Sequence, residues 1–279
     1  MTPSSRSPLR CAAVLPGGSP AEQLDQAIAA EQAGWDGVFV PELAYGVDAW
    51  SLLAAIAART TRIRLGTLLT PLPWRRPWKV ASQVVTLDQL SGGRAILAVG
   101  IGATGLADTG EATGVRERAE QLDEGIDLIR ALWAGQRSYR GQHYRYEAGE
   151  VDPGAGARPV QDPIPLWAVG VWPRPKSMRR ILRCDGIIPQ YDLGGREAGP
   201  ADAGQVRAWL DEHGARPGLD VVAEGQTPAG DPAAAAETVA AWAAAGCTWW
   251  IENRWEGPGN VAQMRERLAA GPPGARDIS

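Results

Sequence analysis

The stretch RIRLGTLLTPLPWRRPWKVASQVVTLDQLSGGRAILAVGIG, Arg62–Gly102, contains a complete strand, helix and strand. Ile63–Leu69 and Ala95–Val99 are short apolar runs of strand length. Between them, residues 77–90 open on a proline and end at Ser91-Gly92-Gly93, the usual start and stop signals of a helix. A helix between two short apolar strands is the crossover that a parallel pair requires.

The same alternation runs outward in both directions. Strands are expected at Leu9–Leu15, Gly37–Val40, Leu166–Val169, Gly186–Ile188, Asp220–Ala223 and Cys247–Ile251. Helices are expected at 20–33, 48–60, 114–134, 176–183, 202–213, 232–245 and 259–270. The first opens with Pro20 and stops at Gly34, and the second begins at Asp48, a good capping residue. Eight strands alternating with eight helices indicate parallel strands joined by crossover helices. The prediction is an α/β protein, a closed (β/α)8 TIM barrel formed as a single domain over residues 1–279. A doubly wound open sheet is the alternative. Roughly 65 residues separate the fourth and fifth strands, too many for one helix and a short loop. An insertion is therefore expected at about 135–165, with a small hairpin or extended excursion over Tyr139–Glu147 turning near Gly141.

The composition narrows the partners. The 279 residues carry a formal net charge of −4, so no basic field for nucleic acid or an anionic membrane is expected. The three cysteines lie far apart in the chain and the two histidines are dispersed, so neither a disulfide framework nor a metal site is expected. The N-terminal MTPSSRSPLR is polar and no apolar run approaches a membrane span; a cytoplasmic protein is expected. There are 12 tryptophans against one phenylalanine, so indole supplies much of the aromatic volume.

A phrase recurs at three strands: DGVFVPE at Asp36–Glu42, DGIIPQ at Asp185–Gln190 and GCTWWIEN at Gly246–Asn253. Barrel active sites lie at the strand C-terminal ends. Glu42, Gln190 and Glu252 are accordingly the candidate catalytic residues, with Arg254 a possible ion-pair partner of Glu252. Asp36 and Asp185 fall at the opposite ends, as turn residues. Trp74, just beyond the third strand, and Tyr45, after Glu42, are candidates for the substrate pocket.

From Gly34 onward the chain resembles the bacterial-luciferase-like monooxygenase superfamily of flavin- and deazaflavin-dependent barrels. The resemblance rests on Arg62–Gly102, RAEQLDEGIDLIRALWAG (Arg118–Gly135), PIPLWAVGVWPRPKSMRRILRCDGIIP (Pro163–Pro189) and GCTWWIE, in that order. It implies a non-proline cis peptide at Leu68–Leu69 behind the cofactor ring, with Gly100 and Gly102 admitting the ring closely. It also implies a phosphate site after the fifth strand, formed by Gly170, Val171, Trp172, Arg174, Lys176 and Ser177, and by Arg118, with Arg116 next in line.

The activity the resemblance implies is a monooxygenase using reduced FMN and O2 on a small organic substrate, fed by a separate flavin reductase and assembled as a homodimer. Hydride transfer with coenzyme F420 in the same pocket is the alternative, and a non-catalytic flavin-binding barrel a further one. Three departures stand out. PELAYGVDAW lacks the histidine many relatives carry after the glutamate; Ala103 stands where sugar-phosphate dehydrogenases carry Glu; and Ile101 stands where luciferase carries Arg. The Gly- and Pro-rich segments 191–202 and 225–232 are candidate lids.

Overall fold

A computed structural model describes residues 9–102, 114–150, 154–255 and 259–274. In chain order the elements are β1 (Arg10–Val14), α1 (Pro20–Gln32), β2 (Gly37–Val40), α2 (Ala49–Arg59), β3 (Arg64–Thr67), β4 (Thr70–Pro71), α3 (Pro77–Ser91), β5 (Ala95–Gly100), α4 (Val115–Trp133), β6 (Ser138–Arg140) and β7 (Arg145–Glu147). They continue with β8 (Leu166–Trp172), α5 (Pro175–Ile181), β9 (Gly186–Tyr191), α6 (Pro200–Glu212), β10 (Asp220–Gly225), α7 (Pro232–Ala244), β11 (Trp249–Glu252) and α8 (Asn260–Ala269). β1, β2, β3, β5, β8, β9, β10 and β11 are parallel and each leads to a helix, the order and pairing of a (β/α)8 barrel.

Local chemistry explains the helix starts. Pro occupies the first position of α1, α3, α5, α6 and α7, where its missing N–H leaves nothing unsatisfied. Ser19 and Glu22 form a capping box before α1, and the Asp48 carboxylate accepts the Ser51 N–H at 2.7 Å before α2. β8, β9 and β10 run two or three residues further than the apolar pattern predicts. The backbone ladder continues through Gly170, Gln190 and Glu224, which interrupt hydrophobicity without interrupting pairing.

The described residues fall into two compact units, one of Met1–Phe39 with Trp167–Ser279 and one of Val40–Leu166. In the first, β2, β1, β11, β10, β9 and β8 pair side by side. Trp167, Trp249 and Phe39 meet on one face of these strands, with ring centroids 5.3–6.3 Å apart. Gly186 makes room for them: an added Cβ would come within 2.6 Å of Trp167 Nε1. The other face looks onto the helices, and there Trp250 packs on Trp242 of α7.

In the second unit, β3 and β4 both pair with β5. Asp88, Ser91 and Arg94 of TLDQLSGGR are buried and employed structurally. Asp88 accepts the Val160 and Gln161 N–H groups at 2.7 and 2.9 Å. Arg94 donates to Ile63, Ala57 and Thr60 carbonyls at 2.8–3.0 Å. The insertion contains the expected hairpin, β6 with β7, and Glu124 of α4 ties its turn by accepting the N–H groups of Gln142, His143 and Tyr144 at 2.7–3.0 Å.

Gly186→Ala forces the extra methyl into the tryptophan layer. The expected outcome is a loss of about 1–3 kcal/mol of unfolding free energy. A denaturation midpoint unchanged from the parent would show that the layer is not tightly packed at this strand.

Candidate functional site

In the Val40–Leu166 unit, Glu42 follows β2 as the center of a polar network. Its Oε1 accepts Arg75 Nη1 at 2.5 Å, and its Oε2 accepts Thr70 Oγ1 at 2.7 Å and Trp50 Nε1 at 3.2 Å. Thr70 is paired with Thr67 Oγ1 at 2.9 Å, and Arg75 Nη2 continues to Gln83 at 2.8 Å. With three donors on its two oxygens, Glu42 is held in place, and the carboxylate in turn orients Arg75. The bond Leu68–Leu69 is a non-proline cis peptide, as the resemblance implied.

Beyond β5, Gly102 adopts φ +79°, and an added Cβ would stand 3.1 Å from both Pro71 and the Trp74 ring. Arg118 of α4 reaches this strand end: its Nη1 donates to the Ile101 and Gly102 carbonyls, both at 3.3 Å. Arg118 is 7% exposed, its Nε meets no acceptor, and no carboxylate faces it among the described residues. A buried guanidinium with donor capacity to spare is suited to an anion. Trp74, Gly102 and Arg118 are thus brought together. Arg116 is exposed and paired with Glu120 at 2.9 Å. Tyr45 is 98% exposed, carried into solvent on the 41–48 turn. Ala103 lies outside the described residues.

In the other unit, the turn from β8 to α5 spends much of its polarity internally. Ser177 Oγ accepts the Val171 N–H at 2.9 Å, and Arg174 is ion-paired with Asp192 at 2.7 Å. Gly170 gives room to Ile181 and Ile187, not to the site side of the strand. Trp172 is half-buried, and Lys176 is exposed at the start of α5. The candidate lids are tied down: Asp202 holds Arg196 and the Gly199 N–H at 2.7–2.9 Å, and these bonds lower its pKa to about 2. Thr227 is buried against Glu252.

Strand alternation decides which face each carboxylate takes. Trp249 lies on the aromatic face, and its register partner is Val222. Two residues on, Glu224 and Ile251 share that face, while Glu252 takes the other. Glu252 is 0% exposed. It accepts the Thr227 N–H and Oγ1 at 2.7 Å each, Trp250 Nε1 at 3.2 Å and Arg254 at 3.3 Å, with Arg267 of α8 at 3.8 Å. It is an internal anchor, which corrects the expectation of a catalytic role. Gln190 is exposed on the aromatic face of β9, two alternations above Gly186. Glu224, which the phrase-based reading passed over, ends VVAEG in the manner in which Glu42 ends GVFVPE. Its carboxyl accepts Asn253 Nδ2 at 3.2 Å, and burial raises its pKa despite hydrogen bonds from Asn253 and Trp255.

The thiols contribute no nucleophile. Cys11, Cys184 and Cys247 are buried and form no disulfide, and burial pushes the Cys11 and Cys247 thiols up to about 12. Among the described residues no metal-binding cluster occurs and no helix is long and apolar enough to cross a membrane.

The family described as luciferase-like monooxygenase matches residues 5–277. A Mycobacterium tuberculosis protein whose name places it among coenzyme F420-dependent oxidoreductases is 34% identical over 208 residues, 71% of this chain and 58% of that protein. An F420-dependent glucose-6-phosphate dehydrogenase from Nakamurella multipartita is 33% identical over 164 residues, 53% of this chain and 46% of that one. The chain thus spans about half the length of the curated relatives it matches. Among solved structures, an F420-dependent secondary alcohol dehydrogenase in complex with an F420–acetone adduct superposes with a TM-score of 0.71 at 18% identity, covering 95% of this chain and 99% of that one. At that identity the likeness is one of fold.

Glu252→Gln removes one charge from a buried pair and leaves Arg267 uncompensated. The expected cost is about 3–5 kcal/mol of unfolding free energy. A variant that keeps parental stability but loses turnover would return Glu252 to the catalytic role.

Proposed function

The chain belongs to the luciferase-like monooxygenase family, and from that membership we propose that it is an oxidoreductase moving hydride between coenzyme F420 and a small organic substrate. The observation that carries this reading is the sequence likeness, at 33–34% identity, to proteins named for F420 dependence. Reduced FMN with O2, the first implication of the sequence resemblance, has no comparable support from those relatives. The departure from the sugar-phosphate dehydrogenases at Ala103 leaves the substrate open within small alcohols and carbonyl compounds.

The residues present suit such a coenzyme. Its phosphate calls for a cation that is not already neutralised, and Arg118 has that property, with a free Nε and no carboxylate beside it among the described residues. Arg174 would have to leave Asp192 to serve, and Val171 to exchange Ser177 for the ligand. In this reading Arg118 holds the anion, Leu68, Leu69, Gly100 and Gly102 supply backbone against the ring, and Trp74 borders the substrate. Lys176 adds positive charge at the start of α5. Glu42 keeps Arg75 and Thr70 fixed, so that the polar groups do not reorganise during reaction. The coenzyme, when bound, supplies the carbon that accepts or gives the hydride; the chain's part is to orient the substrate and exclude water.

Fluorescence titration with F420 and with FMN, followed by turnover with and without oxygen, tests this directly. F420 should bind and turnover should be indifferent to oxygen; FMN binding with oxygen consumption would overturn the reading. Arg118→Ala should weaken F420 binding by roughly 10- to 150-fold, the loss of a charged hydrogen bond worth about 1.5–3 kcal/mol.

A further inference from the structure

We propose that Arg267, with the apolar cavity that it lines, forms a binding site for a small apolar monocarboxylate. The cavity, of about 500 Å³, lies between the start of α7, the end of α8 and the segment that follows α8. Its walls include Pro228, Pro232, Ala235, Ala236, Ala270 and Pro273. Among the described residues Arg267 is the one charged group lining it. All of these residues belong to the unit of Met1–Phe39 with Trp167–Ser279. Largely apolar walls around one placed polar group are what a pocket for a small molecule requires.

The guanidinium is buried and held in a fixed plane. Arg267 is 2% exposed. Its Nε donates to Thr227 Oγ1 at 2.8 Å, and its Cζ lies 5.2 Å from the centroid of the Trp35 ring. Trp35 is fixed in turn, its Nε1 donating to the Leu268 carbonyl at 3.0 Å. With Nε engaged and one face against the indole, the Nη edge is what this side chain offers the cavity. Neither Nη1 nor Nη2 meets an acceptor among the described residues. That edge is the fork which a carboxylate takes with both oxygens.

The neighbouring charges call for one more anion. Glu252 stands between two arginines, Arg254 at 3.3 Å and the Arg267 Nε at 3.8 Å. Its oxygens also accept the Thr227 N–H, Thr227 Oγ1 and Trp250 Nε1, so it is not available to the Nη edge. Two guanidiniums share one carboxylate, and the cluster keeps one unmatched positive charge out of water, a costly arrangement. A ligand carboxylate on the Nη edge offsets that cost. A single unmatched charge suits a monoanion better than a phosphate dianion. Walls of alanine and proline suit an aliphatic or aromatic body better than a sugar.

Calorimetric titration of the full chain with phenylbutyrate, its neutral amide, acetate and inorganic phosphate tests the proposal. Phenylbutyrate should bind about 10- to 150-fold more tightly than the amide, the fold-change of a hydrogen bond to a charged group. It should also bind at least about tenfold more tightly than acetate or phosphate, because only its body covers the apolar walls. Arg267→Gln should erase the preference for the acid over the amide. Ala236→Phe should abolish binding by filling the cavity; it leaves the charged cluster intact and carries the test if Arg267→Gln does not fold. Equal binding of acid and amide overturns the proposal. So does acetate or phosphate binding as tightly as phenylbutyrate, undiminished binding in Ala236→Phe, or no binding of phenylbutyrate at millimolar concentration. F420 is absent from the titration, so its outcome is separate from that of the functional reading.

Discussion

The alternation of side chains along a β-strand is the constraint on which the site depends. Once Trp167, Trp249 and Phe39 occupy one face of their strands, every other residue on those strands is assigned a side. Gly186 lets the Trp167 ring lie across its own backbone, so the layer cannot slip by one residue without exposing an indole and creating a clash. The same register that buries Trp249 places Glu224 on the aromatic face and turns Glu252 toward α8. Two glutamates at neighbouring strand ends thus acquire different surroundings, one tied to arginines and one met by Asn253 and Trp255.

Much of the architecture was legible in the sequence because local signals agreed with the global pattern. Prolines at helix starts, Asp48 and Ser19 as caps, and eight short apolar runs mark the barrel elements where they are found. The strand ends were harder to read, since β8, β9 and β10 continue through glycine, proline and polar residues that end the hydrophobic pattern. That is where the candidate site residues of these strands lie, so the apolar signal stops short of them. Glu252 stood out because it closes an apolar run, yet parity along the strand, not proximity to the run, decides its side. Tyr45 could not be placed from sequence either, because nothing in a turn fixes the direction of an exposed ring.

Glu42 and Arg118 illustrate two ways to treat a buried charge. Glu42 is fully met by donors from Trp50, Thr70 and Arg75, and such a network rigidifies more than it reacts. Among the described residues Arg118 is met only by two carbonyl oxygens at 3.3 Å, a weak settlement for a guanidinium. A bound anion would complete it, which is how a fold shared with many chemistries acquires a particular ligand.

The most direct test of the account is the structure of this protein crystallised with F420 and a bound alcohol or ketone. The account predicts the coenzyme phosphate on Arg118, with Glu252 still tied to Thr227 and Arg267. A coenzyme phosphate lying away from Arg118 would contradict it.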